Sequence, residues 1–168
     1  MSTSPPVLLY RIGNYLYRKR LTRTAKTLSW MNRLLFATFI PSSAIIGRNF
    51  TVAYWGLGVV IHSHAKIGDN CWISQNVTIG RKGNDKLVPV IGNNVYVGVG
   101  AVIVGEITIG DNSVIGANSY VSRSIPSYSL AFGIPATVKR SIRNESRYEI
   151  DRMKEPECEK KPESSTSL

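Results

Sequence analysis

Between residues 61 and 121 an aliphatic side chain returns every six positions. Ile61, Ile67, Ile73, Ile79, Ile91, Val97, Ile103, Ile109, Ile115 and Val121 keep the step, and Asp85 alone breaks it. The next residue is often glycine, as at Gly68, Gly80, Gly92, Gly98, Gly110 and Gly116. Four positions after the aliphatic the chain is mostly small or β-branched, as at Ala65, Cys71, Val77 and Ala101. A helix repeats its apolar face about every 3.6 residues and a half-buried strand every 2. A strict six predicts short strands joined by tight turns and wound into coils, with Ile and Val stacked in a narrow interior. The glycines are expected to supply backbone freedom at the turns. Asp85 falls in the polar stretch 81–87, read as a loop extruded from the repeat. Ile46 and Val52 keep their own six-residue step, three residues out of phase with Ile61, so the first coil is expected to be irregular within 53–60.

Before the repeat, the pattern changes to helical spacing. Leu8, Leu9, Ile12, Tyr15 and Leu16 form one stripe and Trp30, Leu34 and Leu35 continue in a second, within a helical stretch 7–38 that Pro41 is expected to end. A coil needs its open end covered, and these helices are assigned that task. From about 145 onward the chain is charged, carries Pro156 and Pro162, and finishes in Ser and Thr, which reads as a disordered tail. The organisation expected is a helical, basic cap at 1–40, a coil domain at 41–140 and a charged flexible tail at 141–168.

Charge sharpens this division. The 168 residues carry a net charge of +10. Residues 1–40 contain seven Lys or Arg and no acid, whereas 41–138 hold six basic and four acidic residues and 139–168 eight and seven. A basic arm suits a membrane surface or an anionic substrate, and equally a solvated helix face. No aromatic platform accompanies it, so no nucleic-acid partner is expected. Cys71 and Cys158 form no metal or disulfide spacing, no metal is expected, and Cys71 belongs to a packing column. No run approaches the roughly 18–20 apolar residues that span a bilayer. The apolar run 34–40 is short for a secretory signal and is interrupted by Thr38. The chain is read as cytoplasmic, at or near the inner membrane face.

Segments 58–80 (GVVIHSHAKIGDNCWISQNVTIG), 88–121 and 132–140 (FGIPATVKR) resemble the hexapeptide-repeat acyltransferases, serine acetyltransferases and the related sugar and capsule O-acetyltransferases in particular. The resemblance covers about 41–140. It implies a mainly β chain forming a left-handed parallel β-helix of about four 18-residue coils. It also implies a homotrimer with active sites between subunits, acetyl-CoA as co-substrate, and a histidine as general base for a hydroxyl attacking the thioester directly. Two departures stand out. The Asp-His pair of serine acetyltransferases would match Ala53 and Tyr54, and a further loop histidine would match about Leu87 and Val88.

The chain has only two histidines, His62 and His64. A hydroxyl is a poor nucleophile at neutral pH, and a base of pKa near 7 contributes typically 10²–10⁴-fold. His62 is preferred, because steps of 18 stack it over Gly80, Gly98 and Gly116, an edge with room for the pantetheine arm. His64 would stack over Lys82, Gly100 and Asn118. Asp69 and Asp85 are carboxylates that would orient an imidazole or serve in turns. Tyr54 and Trp55 at the phase slip, with Gln75, Asn76, Thr78 and Asp85, are candidates for the acceptor. Gly80, Gly98, Gly116, Ala117, Ser119, Lys139 and Arg140 fit the cofactor groove that the resemblance implies. The function expected is O-acetylation of a sugar in a surface polysaccharide or its precursor. The alternatives are serine O-acetylation, so that the acceptor is a carbohydrate or a small hydroxyl compound, and a non-catalytic β-helix scaffold.

Overall fold

The computed structural model describes residues 4–83 and 87–143; Asp85 and the stretch assigned to the tail from 144 onward lie outside them. The six-residue period becomes a parallel β-solenoid of about four turns. Three sheets form its walls. One wall stacks Val60–Ile61, Thr78–Gly80, Val102–Val104 and Tyr120–Val121. A second stacks Ile45–Ile46, Lys66–Ile67, Val90–Ile91 and Thr108–Ile109. The third stacks Thr51–Val52, Trp72–Ile73, Tyr96–Val97, Val114–Ile115 and Ser129–Gly133, and ends on the antiparallel strand Ala136–Ser141. We call these walls A, B and C in the order just given. Ile61, Ile73, Ile79, Ile103, Ile109 and Ile115 are completely buried between the walls. Each such side chain stabilises the fold by roughly 1.5–3 kcal/mol relative to exposure.

The coils are not all 18 residues. Ile61 pairs with Ile79 at a step of 18, but Ile79 pairs with Ile103 at a step of 24. The loop 81–87 inserts one full hexad into the third coil. On walls B and C, Ile46 pairs with Ile67 and Val52 with Ile73, both at 21, so the three-residue slip is real. It is taken up by the turn Ala53–Gly56.

This changes the expected stacking. Below His62 comes Gly80, but below Gly80 comes Val104, not Gly98. Gly98 and Gly116 follow strands of wall C, at the corner leading to wall A, with Gly100 and Asn118. Counting by 18 failed because the extra hexad moves every later residue on by one wall.

The glycines also act differently from expectation. Positive φ at the turns is carried mostly by asparagines: Asn49, Asn70, Asn76, Asn94, Asn112 and Asn118, at 52–59°. The hexad glycines are needed instead for close approach between coils. A Cβ on Gly98 would lie 2.6 Å from the Ala117 nitrogen, and one on Gly110 would lie 2.3 Å from the Ser127 nitrogen. Asparagine tolerates the left-handed region because its short side chain bonds locally, and here Asn49 donates to Asn70 and Asn94 to Asn112 on the next coil.

Two helices cover the first coil: α1, Pro5–Arg18, and α2, Thr22–Phe36. Val7 and Tyr10 join the coil interior, and the Tyr10 hydroxyl donates to the Ala44 carbonyl at 2.8 Å. Arg11 donates to the carbonyls of Ile46 and Gly47. The second helix ends at Phe36 because Ala37 turns left-handed (φ 51°), five residues before the sequence signal at Pro41 would have required a stop further on. Its orientation is also the reverse of expectation. Ala25, Ser29 and Asn32 are buried, whereas Trp30, Met31, Leu34 and Leu35 are exposed. The Ser29 hydroxyl meets that of Ser42 at 2.9 Å, and the Asn32 amide donates to the Pro6 carbonyl. The buried hydroxyls of Ser29 and Ser42 satisfy one another at little cost, the Asn32 amide nitrogen finds a partner although its buried Oδ1 does not, and these contacts hold the polar side inward.

Candidate active site

His62 opens the corner between walls A and B, directly after the strand Val60–Ile61. Its imidazole is half-buried. Nδ1 accepts the backbone N–H of His64 at 3.2 Å, and the two rings meet edge to face with centroids 5.4 Å apart. Burial, the charge of Arg81 and the neighbouring His64 all hold the His62 pKa below the ordinary 6.5. The ring is therefore neutral and able to accept a proton at neutral pH.

Beside it lies a cavity of about 680 Å³ between α2 and wall A. His62, Ser63, Thr78 and Gly80 form one side; Lys26 and Trp30 of α2 form part of the other. Gly80 differs from the other hexad glycines measured: a Cβ there would meet nothing within 4 Å. The coil does not need glycine at that point for packing, and the space under the imidazole is free. Lys26 and Arg81 were not foreseen. Arg81 directly follows Gly80 at the start of the extruded loop, one coil below Ser63, and that position was the available signal. Lys26 would have required knowing that α2 turns its polar side inward.

The remaining predicted residues separate into groups. Thr78 shares the His62 cavity. Gln75 and Asn76 stand at the corner between walls C and A, together with Gly98, Gly116, Ala117 and Ser119. There the Ser119 hydroxyl donates to the Gly116 carbonyl at 2.8 Å and accepts the Gly133 N–H at 3.3 Å. Tyr54 and Trp55 lie on the same corner, on the first coil. Both are left-handed, at φ 48° and 53°, and both are exposed. The left-handed region costs roughly 1–2 kcal/mol per such residue. Thr38 anchors the turn, its hydroxyl within reach of the carbonyls of Trp55 and Gly56. Lys139 and Arg140 lie on the last strand, the Lys139 ammonium over the Phe132 ring at 5.1 Å. Asp69 is held by Arg48, which donates to it from both backbone and guanidinium and keeps its carboxyl below the usual range. Asp69 thus serves a turn between walls B and C and does not orient His62. Asp85 lies outside the described residues. In one copy of the chain, then, the candidates other than Asp69, Asp85, Lys139 and Arg140 fall on two corners separated by wall A.

Residues 89–123 match the family described as bacterial transferase hexapeptide (six repeats). The six-residue period runs on beyond that match, back to Ile61. The chain is 40% identical over 134 residues to a serine acetyltransferase of Synechococcus elongatus, covering 79% of this chain and 54% of that protein. Among solved structures, it is similar to soybean serine acetyltransferase complexed with serine, with a TM-score of 0.76, 32% identity, and 79% of this chain and 55% of that one covered. It is likewise similar to Brucella abortus serine acetyltransferase in complex with coenzyme A, with a TM-score of 0.77, 29% identity, and 80% and 54% covered. The hexapeptide-repeat chain spans little more than half the length of these relatives.

Proposed function

We propose that this hexapeptide-repeat chain is an acetyl-CoA-dependent O-acetyltransferase whose acceptor is a small hydroxyl compound, L-serine first. The observation that carries the reading is a neutral imidazole, His62, beside a cavity of about 680 Å³ whose floor at Gly80 is open. Similarity to serine acetyltransferases supports serine over the polysaccharide sugar expected from the sequence. The sugar reading rested on Ala53 and Tyr54 replacing an Asp-His pair, on the short N-terminal region and on the basic arm.

Acetyl-CoA supplies the acetyl thioester in this scheme. The narrow space over Gly80 fits a thin arm, since no side chain fills it. The His62 lone pair faces the His64 amide through Nδ1 at 3.2 Å, so the neutral ring carries its proton on Nε2. The acceptor hydroxyl takes the place of that weak amide contact and gives its proton to Nδ1. Its oxygen forms the ester bond to the acetyl carbon as the carbon–sulfur bond breaks, and the imidazolium returns the proton to the departing thiolate. Lys26 and Arg81 supply positive charge for the carboxylate of serine. A homotrimer would bring the corner of Gly98, Gly116, Ala117 and Ser119 of one copy against the His62 corner of another. The division of the candidates between two corners supports this arrangement.

Thiol release from acetyl-CoA is expected with L-serine and not with oligosaccharides. Turnover with glycans alone would restore the sugar acceptor. Absence of both turnover and CoA binding would leave only the scaffold reading.

A further inference from the structure

The helical cap presents to solvent what helices normally bury. On α1, Leu8, Ile12 and Tyr15 lie on one side at helical spacing and are 45–61% exposed. On α2, Trp30 and Leu34 are exposed by 63% and 86% while Ser29 and Asn32 are buried. A surface helix of a self-contained fold shows the opposite arrangement. The aromatic surface continues onto the first coil: Trp30 packs near Phe39, Phe36 packs edge-on against Trp55, and Arg33 lies over both Trp30 and Phe39. The strained turn at Tyr54 and Trp55 turns two more rings outward. Exposed apolar surface of this kind marks an interaction face.

Charge identifies the partner. Residues 1–40 carry seven Lys or Arg and no acid. Arg18, Lys19, Arg20 and Arg23 cluster at the α1–α2 connection, and no ion pair involves them among the described residues. The acids of the described residues are Asp69, Glu106 and Asp111, and Asp69 is already paired with Arg48. The cap of another copy, equally free of acids over residues 1–40, would be repelled by this one. We infer that the cap is a docking face for an anionic lipid surface, with Leu34, Leu8 and Ile12 entering the headgroup region and the flanking Arg and Lys meeting lipid phosphates. No described helix is long and apolar enough to cross a membrane, so the attachment is peripheral.

The full chain is tested by co-sedimentation with vesicles of equal parts phosphatidylcholine and phosphatidylglycerol, and with phosphatidylcholine alone. Binding to the anionic vesicles is expected, weaker as salt rises. The double variant Leu8→Gln/Leu34→Gln is expected to lose roughly tenfold or more in vesicle affinity at an unchanged unfolding temperature, since neither side chain is buried. Failure to sediment with anionic vesicles, or equal binding to neutral ones, would overturn the inference. So would a fall in oligomeric mass in the variant, which would make a second copy of the chain the occupant.

Discussion

Two glycines in the same column of the repeat are expected to respond in opposite ways to one methyl group. At Gly98 the new Cβ would lie 2.6 Å from the Ala117 nitrogen and 2.9 Å from the Gly116 carbonyl carbon, where ordinary contact starts at 3.4 Å. Both are backbone atoms on the next coil, held by the ladder in which the Gly98 N–H bonds Ile115 and the Gly116 N–H bonds Ala131. Neither can move alone, so the coils must separate locally. Overpacking of this kind costs about 1–3 kcal/mol. At Gly80 nothing lies within 4 Å and φ is not positive. There Gly80→Ala is neutral or stabilising by about 0.4–1 kcal/mol, through the lower entropy of the unfolded chain. In a chain of this size each kcal/mol moves Tm by roughly 2–4 °C. Thermal unfolding followed by circular dichroism, at one protein concentration because assembly shifts Tm, reads the difference. The same Gly80→Ala change puts a methyl under His62 and is expected to lower kcat/KM by up to about 100-fold. A Gly80→Ala protein as unstable as Gly98→Ala would refute the packing argument. One that is stable and fully active would refute the placement of the thioester.

His62→Ala should remove nearly all turnover while His64→Ala keeps most of it, and kinetics of the two variants check this; the reverse result moves the base to His64. Because burial and Arg81 hold the His62 pKa below 6.5, the acid limb of kcat/KM is expected below that pH, and Arg81→Ala should move it upward by removing a positive charge. The linkage has the matching sign: the unfolded chain takes up the proton first, so acidification through 6.5 disfavours the fold. Burial pushes the Cys71 thiol up to about 11, so iodoacetamide at neutral pH should leave Cys71 unmodified in the native protein, as peptide mass spectrometry will read. Thr38→Val leaves the carbonyls of Trp55 and Gly56 without their hydroxyl partner and is expected to cost about 1–3 kcal/mol, measured by urea unfolding.

The solenoid was legible because the interior is one residue wide: Ile61 to Val121 could not be moved by one position without emptying a wall. The slip before Ile61 was legible for the same reason. The column beneath His62 was not, because lengthening a coil step from 18 to 24 leaves the six-residue beat intact while transferring later residues to the next wall. Gly98 and Gly80 therefore look alike in sequence and stand on different corners. The roles of the hexad glycines were misread because crowding between coils is a tertiary fact, while the turn conformation had already been met by asparagine. The orientation of α2 was hidden in pairs distant along the chain, Ser29 with Ser42 and Asn32 with Pro6. No local hydrophobic pattern contains such pairs.

The antiparallel strand Ala136–Ser141 has a consequence for self-association. Parallel coils leave a row of open N–H and C=O groups at their last turn, onto which another solenoid could add end to end. On wall C the chain doubles back across that row, Phe132 facing Thr137 and Leu130 facing Arg140 in the pairing. The new rim is a hairpin bearing Lys139 and Arg140. A stacked molecule would have to bring like charges together there, so the hairpin guards against fibre growth along the coil axis.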